Sequence, residues 1–168
     1  PQSLASIEQT ENWNIEPICG YEGCYPLVDT LVGNNLRVRF DTFNHQYSRV
    51  KNPFSMVLTF SMPQSYECTF SPLSTQIKKN EESKIFASNF VSYGSEKIDS
   101  TISNQKIIQL SGKGKPIQGK KYQAVSIQFP TVTPAPQETF QLFLEGLVCN
   151  GENLRPPVVT FSEGMCEW

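Results

Sequence analysis

The sequence predicts an all-β protein: a two-sheet antiparallel sandwich, immunoglobulin-like or jelly-roll, with about eight to ten short strands and little helix. Residues 53–62 alternate between apolar side chains, among them Met56, Leu58 and Phe60, and smaller or polar ones, as a half-buried strand does. Residues 36–43 alternate in the same way between apolar and charged side chains. Short apolar stretches separated by turn residues then recur along the chain, at intervals of roughly ten residues. We therefore expect residues 36–43 and 53–62 to form an antiparallel pair at the centre of the core.

The remaining segments are assigned by the same criteria. Extended segments are predicted at residues 27–32, 36–43, 53–62, 65–71, 85–93, 106–110, 122–129, 140–149 and 158–161. Residues 74–83 carry Lys78 and Glu82 four positions apart, which suits one or two helical turns and equally a loop. Ile98 and Ile102 would fit a helix or a strand, but an irregular connection is favoured there. Residues 130–136 are rich in proline and form a predicted extended spacer.

Length and charge limit the classes of protein. A chain of 168 residues fits one domain and can bury a hydrophobic core without many cross-links. Residues 1–18 are polar with irregularly spaced apolar side chains, and we interpret them as an N-terminal arm that binds a partner. Residues 19–168 are interpreted as a single β-sandwich domain. The net charge of −2 argues against nucleic acid as a partner, and no run of about eighteen apolar residues suggests membrane insertion.

The five cysteines favour disulfides over a metal site or buried thiols. They stand at positions 19, 24, 68, 149 and 166, a spacing that matches no zinc-binding pattern. Each local pair would close a turn-rich stretch, so the predicted bridges are Cys19–Cys24 and Cys149–Cys166. Cys68, among aromatic residues, is predicted to be a free and buried thiol. Disulfides in turn favour an extracellular or cell-surface protein.

The residue types that could carry chemistry argue against catalysis. His45 is the only histidine, and no glycine-flanked serine accompanies it as a nucleophile. The sequence also lacks a Ca²⁺-binding loop and a glycine-rich phosphate loop. We therefore expect no enzyme activity, no catalytic residue, no metal and no cofactor.

The candidate binding residues are mostly aromatic positions outside the central predicted strands. They are Tyr21, Tyr25 and Trp168 for a ligand, since exposed rings can stack on sugars, and Trp13 and Ile15 for a partner. Thr131 and Thr133 stand among prolines and are candidate O-glycan acceptors, which would make the protein a glycoprotein.

These observations predict an extracellular structural or adhesive subunit that self-associates into a surface assembly or fibre. In this interpretation, the N-terminal arm adds to the sheet edge of a neighbouring copy, because strand addition gains affinity from main-chain hydrogen bonds. The alternative is a carbohydrate-binding module with an aromatic platform, and glycans are then the partners. A weaker alternative is a glycan-active enzyme that uses dispersed carboxylates.

Overall fold

A computed structural model describes residues 2–7, 13–20, 23–33, 35–41, 53–93, 98–99, 107–112, 123–132, 134 and 138–164. In this part of the chain, all regular structure is extended except for one 3₁₀ turn at Pro72–Ser74. The predicted all-β class is therefore confirmed. The described residues contain sixteen strands, so the predicted number was too low.

The strands form three antiparallel sheets. They are β1 (Gln2–Ile7), β2 (Trp13–Gly20), β3 (Gly23–Val32), β4 (Leu36–Asp41), β5 (Phe54–Ser61), β6 (Glu67–Phe70), β7 (Gln76–Lys79), β8 (Ile85–Phe86), β9 (Asn89–Tyr93), β10 (Ile98–Asp99), β11 (Ile107–Ser111), β12 (Gln123–Phe129), β13 (Phe140–Phe143), β14 (Leu147–Cys149), β15 (Glu152–Leu154) and β16 (Val159–Gly164). Sheet A has the order β1-β16-β13-β7-β8, and sheet C has the order β10-β11-β6-β14-β15. Sheet B has six strands in the order β2-β3-β4-β5-β12-β9.

The centre of sheet B confirms the predicted alternation. Strands β4 and β5 pair antiparallel, with Val38 opposite Phe60. Met56, Leu58 and Phe60 are each at most 2% exposed, while every second residue of β5 lies on the outer face. The outer face of β5 carries only small or β-branched side chains, so apolar burial alone is enough to set its register.

The buried faces of the three sheets join in one hydrophobic core. Phe60 of sheet B lies 5.2 Å from Phe70 of sheet C, measured between ring centroids. Phe54 of sheet B meets Phe140 of sheet A edge to face at 5.8 Å. Sheet B therefore packs against both of the other sheets, and these ring pairs add stability beyond the apolar area that they bury.

Three chain segments connect sheets A and C, and two of them run side by side. Residues 71–75 lead from β6 to β7, and residues 144–146 lead from β13 to β14. The backbone N–H of Ser71 donates to the carbonyl of Gly146 at 3.0 Å, which joins the two segments. The prediction of one strand over residues 140–149 was therefore wrong, because the chain changes sheet at Gly146, where φ is +84°.

Neither alternative for residues 74–83, helical turns or a loop between strands, predicted the strand that the structure has there. Strand β7 begins at Gln76, and residues 80–82 turn the chain back into β8. Ile77 of β7 is fully buried and faces the core, which a strand pairing with β13 satisfies. The Lys78 and Glu82 spacing therefore reflects a strand followed by a turn. Strands β1, β2, β10 and β15 also lie outside the segments predicted to be extended.

The substitution Gly146→Ala is expected to lower the free energy of unfolding by about 2–3 kcal/mol. A Cβ atom at Gly146 would lie 2.8 Å from the carbonyl oxygen of Ser71, in a backbone conformation with φ +84° that L-residues rarely adopt. Gly151→Ala is the matched control, because Gly151 has φ +82° but open space around its Cβ position. Urea denaturation of both variants measures the difference, and equal losses would contradict a steric role for the contact with Ser71.

The disulfide prediction for two of the cysteines was wrong. Cys68 of β6 and Cys149 of β14 are directly opposite each other and form a disulfide, with Cα atoms 4.1 Å apart. Cys149 is therefore not bonded to Cys166, and Cys68 is buried but not free. Cys19 and Cys24 are opposite each other in the backbone register of β2 and β3. Their side chains and Cys166 lie outside the described part of the structure, so that pairing stays a prediction.

A long two-stranded ribbon passes through all three sheets. Residues 68–93 run antiparallel to residues 124–149 and pair with them in sheet C, then sheet A, then sheet B. Representative partners are Phe70 with Leu147, Ile77 with Leu142, and Phe90 with Ile127. The ribbon contributes core-facing residues to all three sheets. In each half of the ribbon, the chain passes from a strand of one sheet into a strand of the next.

The predicted N-terminal arm contributes edge strands to two sheets. Strand β1 pairs with β16 at the edge of sheet A, and β2 pairs with β3 at the edge of sheet B. Strand β1 also packs against β3, so the two edges lie on the same side of the core. The opposite edges of the same two sheets are β8 and β9, which are separated in sequence only by Ala87 and Ser88.

Candidate functional site

A groove of about 400 Å³ opens where the chain leaves β13 and enters β16. The groove is lined by Phe143, Leu144, Glu145, Arg155, Pro156, Pro157 and Val158. Its position follows from the pairing of β13 with β16, because the paired residues Leu142 and Val159 bring the segments 143–145 and 155–158 together. Leu144 and Pro156 are buried and form apolar parts of the lining. The volume lies within the range of small-molecule sites.

The groove has a polar surface formed by an ion pair and a flat apolar surface formed by an aromatic ring. The Nε atom of Arg155 lies 3.3 Å from Oε2 of Glu145, with the two side chains 78% and 31% exposed. The terminal nitrogens of Arg155 have no partner among the described residues. The ammonium group of Lys84 lies 4.1 Å from the centroid of the Phe143 ring, a cation–π contact. Exposed pairs of this kind add little to stability.

A second exposed surface follows the edge formed by β8 and β9, which we call the 85–93 edge. Phe86 is 58% exposed at the edge of sheet A, and Val91 is 44% exposed at the edge of sheet B. The N–H groups of Ala87 and Ser88 donate to Thr75 and to Gln128, at 2.9 and 2.8 Å, so the connecting residues are held between the two sheets. The 85–93 edge is therefore an ordered strip that presents apolar side chains.

The candidate O-glycan acceptor Thr131 has a hydrogen-bond partner. Lys79 is only 9% exposed, and its Nζ atom donates to the Thr131 hydroxyl and to the Val132 carbonyl, both at 2.9 Å. The half-buried Thr131 hydroxyl thus helps to hold the proline-rich segment against β7. Thr133, the other candidate acceptor, lies outside the described residues.

The other residues predicted to bind fall partly outside the described structure. Tyr21 and Trp168 lie outside it, and Tyr25 is described only as a backbone position of β3, opposite Ile18. In the same hairpin, Trp13 is opposite Thr30 and Ile15 is opposite Val28. The aromatic platform and the partner contacts of the arm therefore stay predictions.

The part of the chain that the structure describes also bears on metal and membrane sites. It contains no group of three or more histidine, cysteine or acidic residues that could hold a metal ion. None of its helical segments is long and apolar enough to cross a membrane. His45 lies outside the described residues.

Comparison of the chain with protein-family models, curated proteins and solved structures finds no match. The groove and the 85–93 edge are thus argued from their own geometry. Of the groove residues, sequence reasoning used Arg155, Pro156 and Pro157 only as turn residues. The break at Gly146 within an apolar run was the one sequence signal close to the groove.

Proposed function

We propose that the chain is an extracellular structural subunit that self-associates head to tail into a surface assembly or fibre. The observation that carries the proposal is the arrangement of the edge strands. Among the residues that the structure describes, the N-terminal arm forms one edge of both sheets A and B, and the 85–93 edge forms the other edge of both. Edge strands can accept another strand, and the exposed Phe86 and Val91 do not protect this edge as charged residues would.

Head-to-tail contact between two different edges favours an open assembly. An interface between unlike surfaces forms a ring when the rotation closes and a filament when it does not. Residues 1–18 contain three glutamates and no lysine or arginine, and residues 85–93 contain no charged residue, so no like charges oppose this contact.

For the finer fold, we propose a two-layer sandwich of the jelly-roll type, with sheet B in one layer and sheets A and C end to end in the other. The support comes from the long ribbon, whose two halves stay paired while they cross from sheet C to sheet A to sheet B. A rolled antiparallel ribbon of this kind is typical of a jelly roll. The extracellular location is supported by the buried Cys68–Cys149 disulfide.

The proposal is tested by light scattering coupled to size-exclusion chromatography over a range of concentrations. We expect the unmodified protein to form species much heavier than 19.0 kDa. The double variant Phe86→Lys, Val91→Lys should stay monomeric, because two charges on the 85–93 edge oppose strand addition. Both positions are exposed, so the fold should be kept.

The control is Val57→Lys with Val132→Lys, which adds the same charge at exposed apolar positions outside both edges. This control should assemble like the unmodified protein. An unmodified protein that stays monomeric at high concentration would overturn the proposal. Unchanged assembly of the Phe86→Lys, Val91→Lys variant would overturn the role of the 85–93 edge.

A further inference from the structure

We propose that the groove between residues 143–145 and 155–158 binds a neutral sugar residue of a glycan. The proposal does not depend on self-association, because none of the groove residues belongs to the N-terminal arm or to the 85–93 edge. It also differs from the platform predicted from the sequence, which uses Tyr21, Tyr25 and Trp168.

The polar groups of the groove match the chemistry of sugar hydroxyls. Each hydroxyl both donates and accepts a hydrogen bond, so a pair of neighbouring hydroxyls needs a donor and an acceptor side by side. The guanidinium of Arg155 supplies only donors and the carboxylate of Glu145 only acceptors, with 3.3 Å between the paired atoms. Lys84 is not part of the lining, although its ammonium group lies 4.1 Å from the centroid of the Phe143 ring.

The apolar lining of the groove matches the C–H faces of a sugar ring. A pyranose ring presents C–H groups on its faces, and these pack on flat apolar surfaces. Phe143, Pro156 and Pro157 supply ring surfaces, and the buried Leu144 lies beside them. A volume of about 400 Å³ is enough for a small ligand but not for a long one.

The same groups argue against other ligands. A strongly anionic ligand would meet the Glu145 carboxylate, which already neutralises Arg155 at 3.3 Å. An apolar peptide side chain would cover the Glu145–Arg155 pair without offering it hydrogen bonds, which is unfavourable. A neutral ligand with several hydroxyls can form hydrogen bonds with Glu145 and Arg155 and can also pack on the apolar lining.

The test is an NMR titration of the whole chain with neutral tetrasaccharides of glucose, mannose, galactose and N-acetylglucosamine, and with a galacturonic acid tetramer as the anionic comparison. We expect at least one neutral probe to shift the amide signals of residues 143–145 and 155–158. Glu145→Gln and Arg155→Gln should each weaken that binding about tenfold or more. Both side chains are partly or largely exposed, so both variants should fold.

The matched control is Arg37→Gln, which breaks another exposed ion pair, Arg37 with Asp29 at 2.6 Å on sheet B, and should leave binding unchanged. The Phe86→Lys, Val91→Lys variant should also bind the sugar normally, which separates this test from that of assembly. Several results would overturn the proposal: no shift with any neutral probe, shifts only with the anionic probe, or binding that is insensitive to Glu145→Gln and Arg155→Gln.

Discussion

Phe60→Ala is expected to lower the free energy of unfolding by about 3–5 kcal/mol, the usual loss when a large buried aromatic side chain is removed from a core. Phe60 is 1% exposed, and its ring lies 5.2 Å from that of Phe70 in sheet C. The substitution removes buried apolar area and leaves a cavity where sheets B and C meet. Equilibrium unfolding in urea, followed by fluorescence and circular dichroism, measures the loss.

Thr59→Ala is the control for Phe60→Ala, because Thr59 is the neighbouring residue of β5 on the outer face. Its loss should be below about 1 kcal/mol, as is usual for surface substitutions. Equal losses for the two variants would mean that β5 is buried on both faces, which contradicts the packing of sheet B.

Removing the disulfide between Cys68 and Cys149 should cost about 4 kcal/mol. The two cysteines are 81 positions apart, and closing a loop of that length strongly restricts the unfolded chain. The double variant Cys68→Ala, Cys149→Ala avoids leaving a free thiol in the core, where both residues are 2% exposed. Urea denaturation of the oxidised protein and of this variant gives the difference.

Mass spectrometry of non-reduced peptides checks the connectivity directly. A peptide that joins Cys68 to Cys149 is expected in the unmodified protein. A link from Cys149 to Cys166 would contradict the structure, and a double variant as stable as the unmodified protein would show that the disulfide contributes nothing. The same map would test the predicted Cys19–Cys24 bridge.

The sequence was enough to predict those strands in which the alternation of apolar and polar residues determines which side chains are buried. Residues 36–43 and 53–62 alternate strictly, and the strands found there are β4 and β5. Burial of one face requires only the order of apolar and polar side chains, which is local information. Residues 140–149 are mostly apolar, with Gln141 and Glu145 as the polar exceptions, and their pattern does not reveal that the chain changes sheet at Gly146. That change depends on Ser71, which is remote in sequence.

Non-local pairing explains the other errors. The partner of Cys149 is set by the register of β14 against β6, and no local property of residues 147–149 indicates residue 68. The groove likewise depends on pairing between segments that local sequence does not indicate. Glu145 and Arg155 form their pair only because β13 and β16 are neighbours in sheet A. Composition and spacing indicate neither contact, so the sequence reasoning favoured nearby cysteines and aromatic residues instead.

The long ribbon also determines how the chain can reach its folded state. Its two halves are nearest in sequence at Tyr93 and Ala124 and farthest at Cys68 and Cys149, 81 positions apart. The entropy lost on closing a loop grows with the length of the loop. The smallest loss of entropy therefore occurs when pairing begins at the Tyr93 end and then extends toward the cysteines. Pairing between distant segments makes β-rich proteins slow folders, over milliseconds to seconds. In this order of pairing, the thiols of Cys68 and Cys149 come together last. Their oxidation then forms the disulfide between two segments that are already paired.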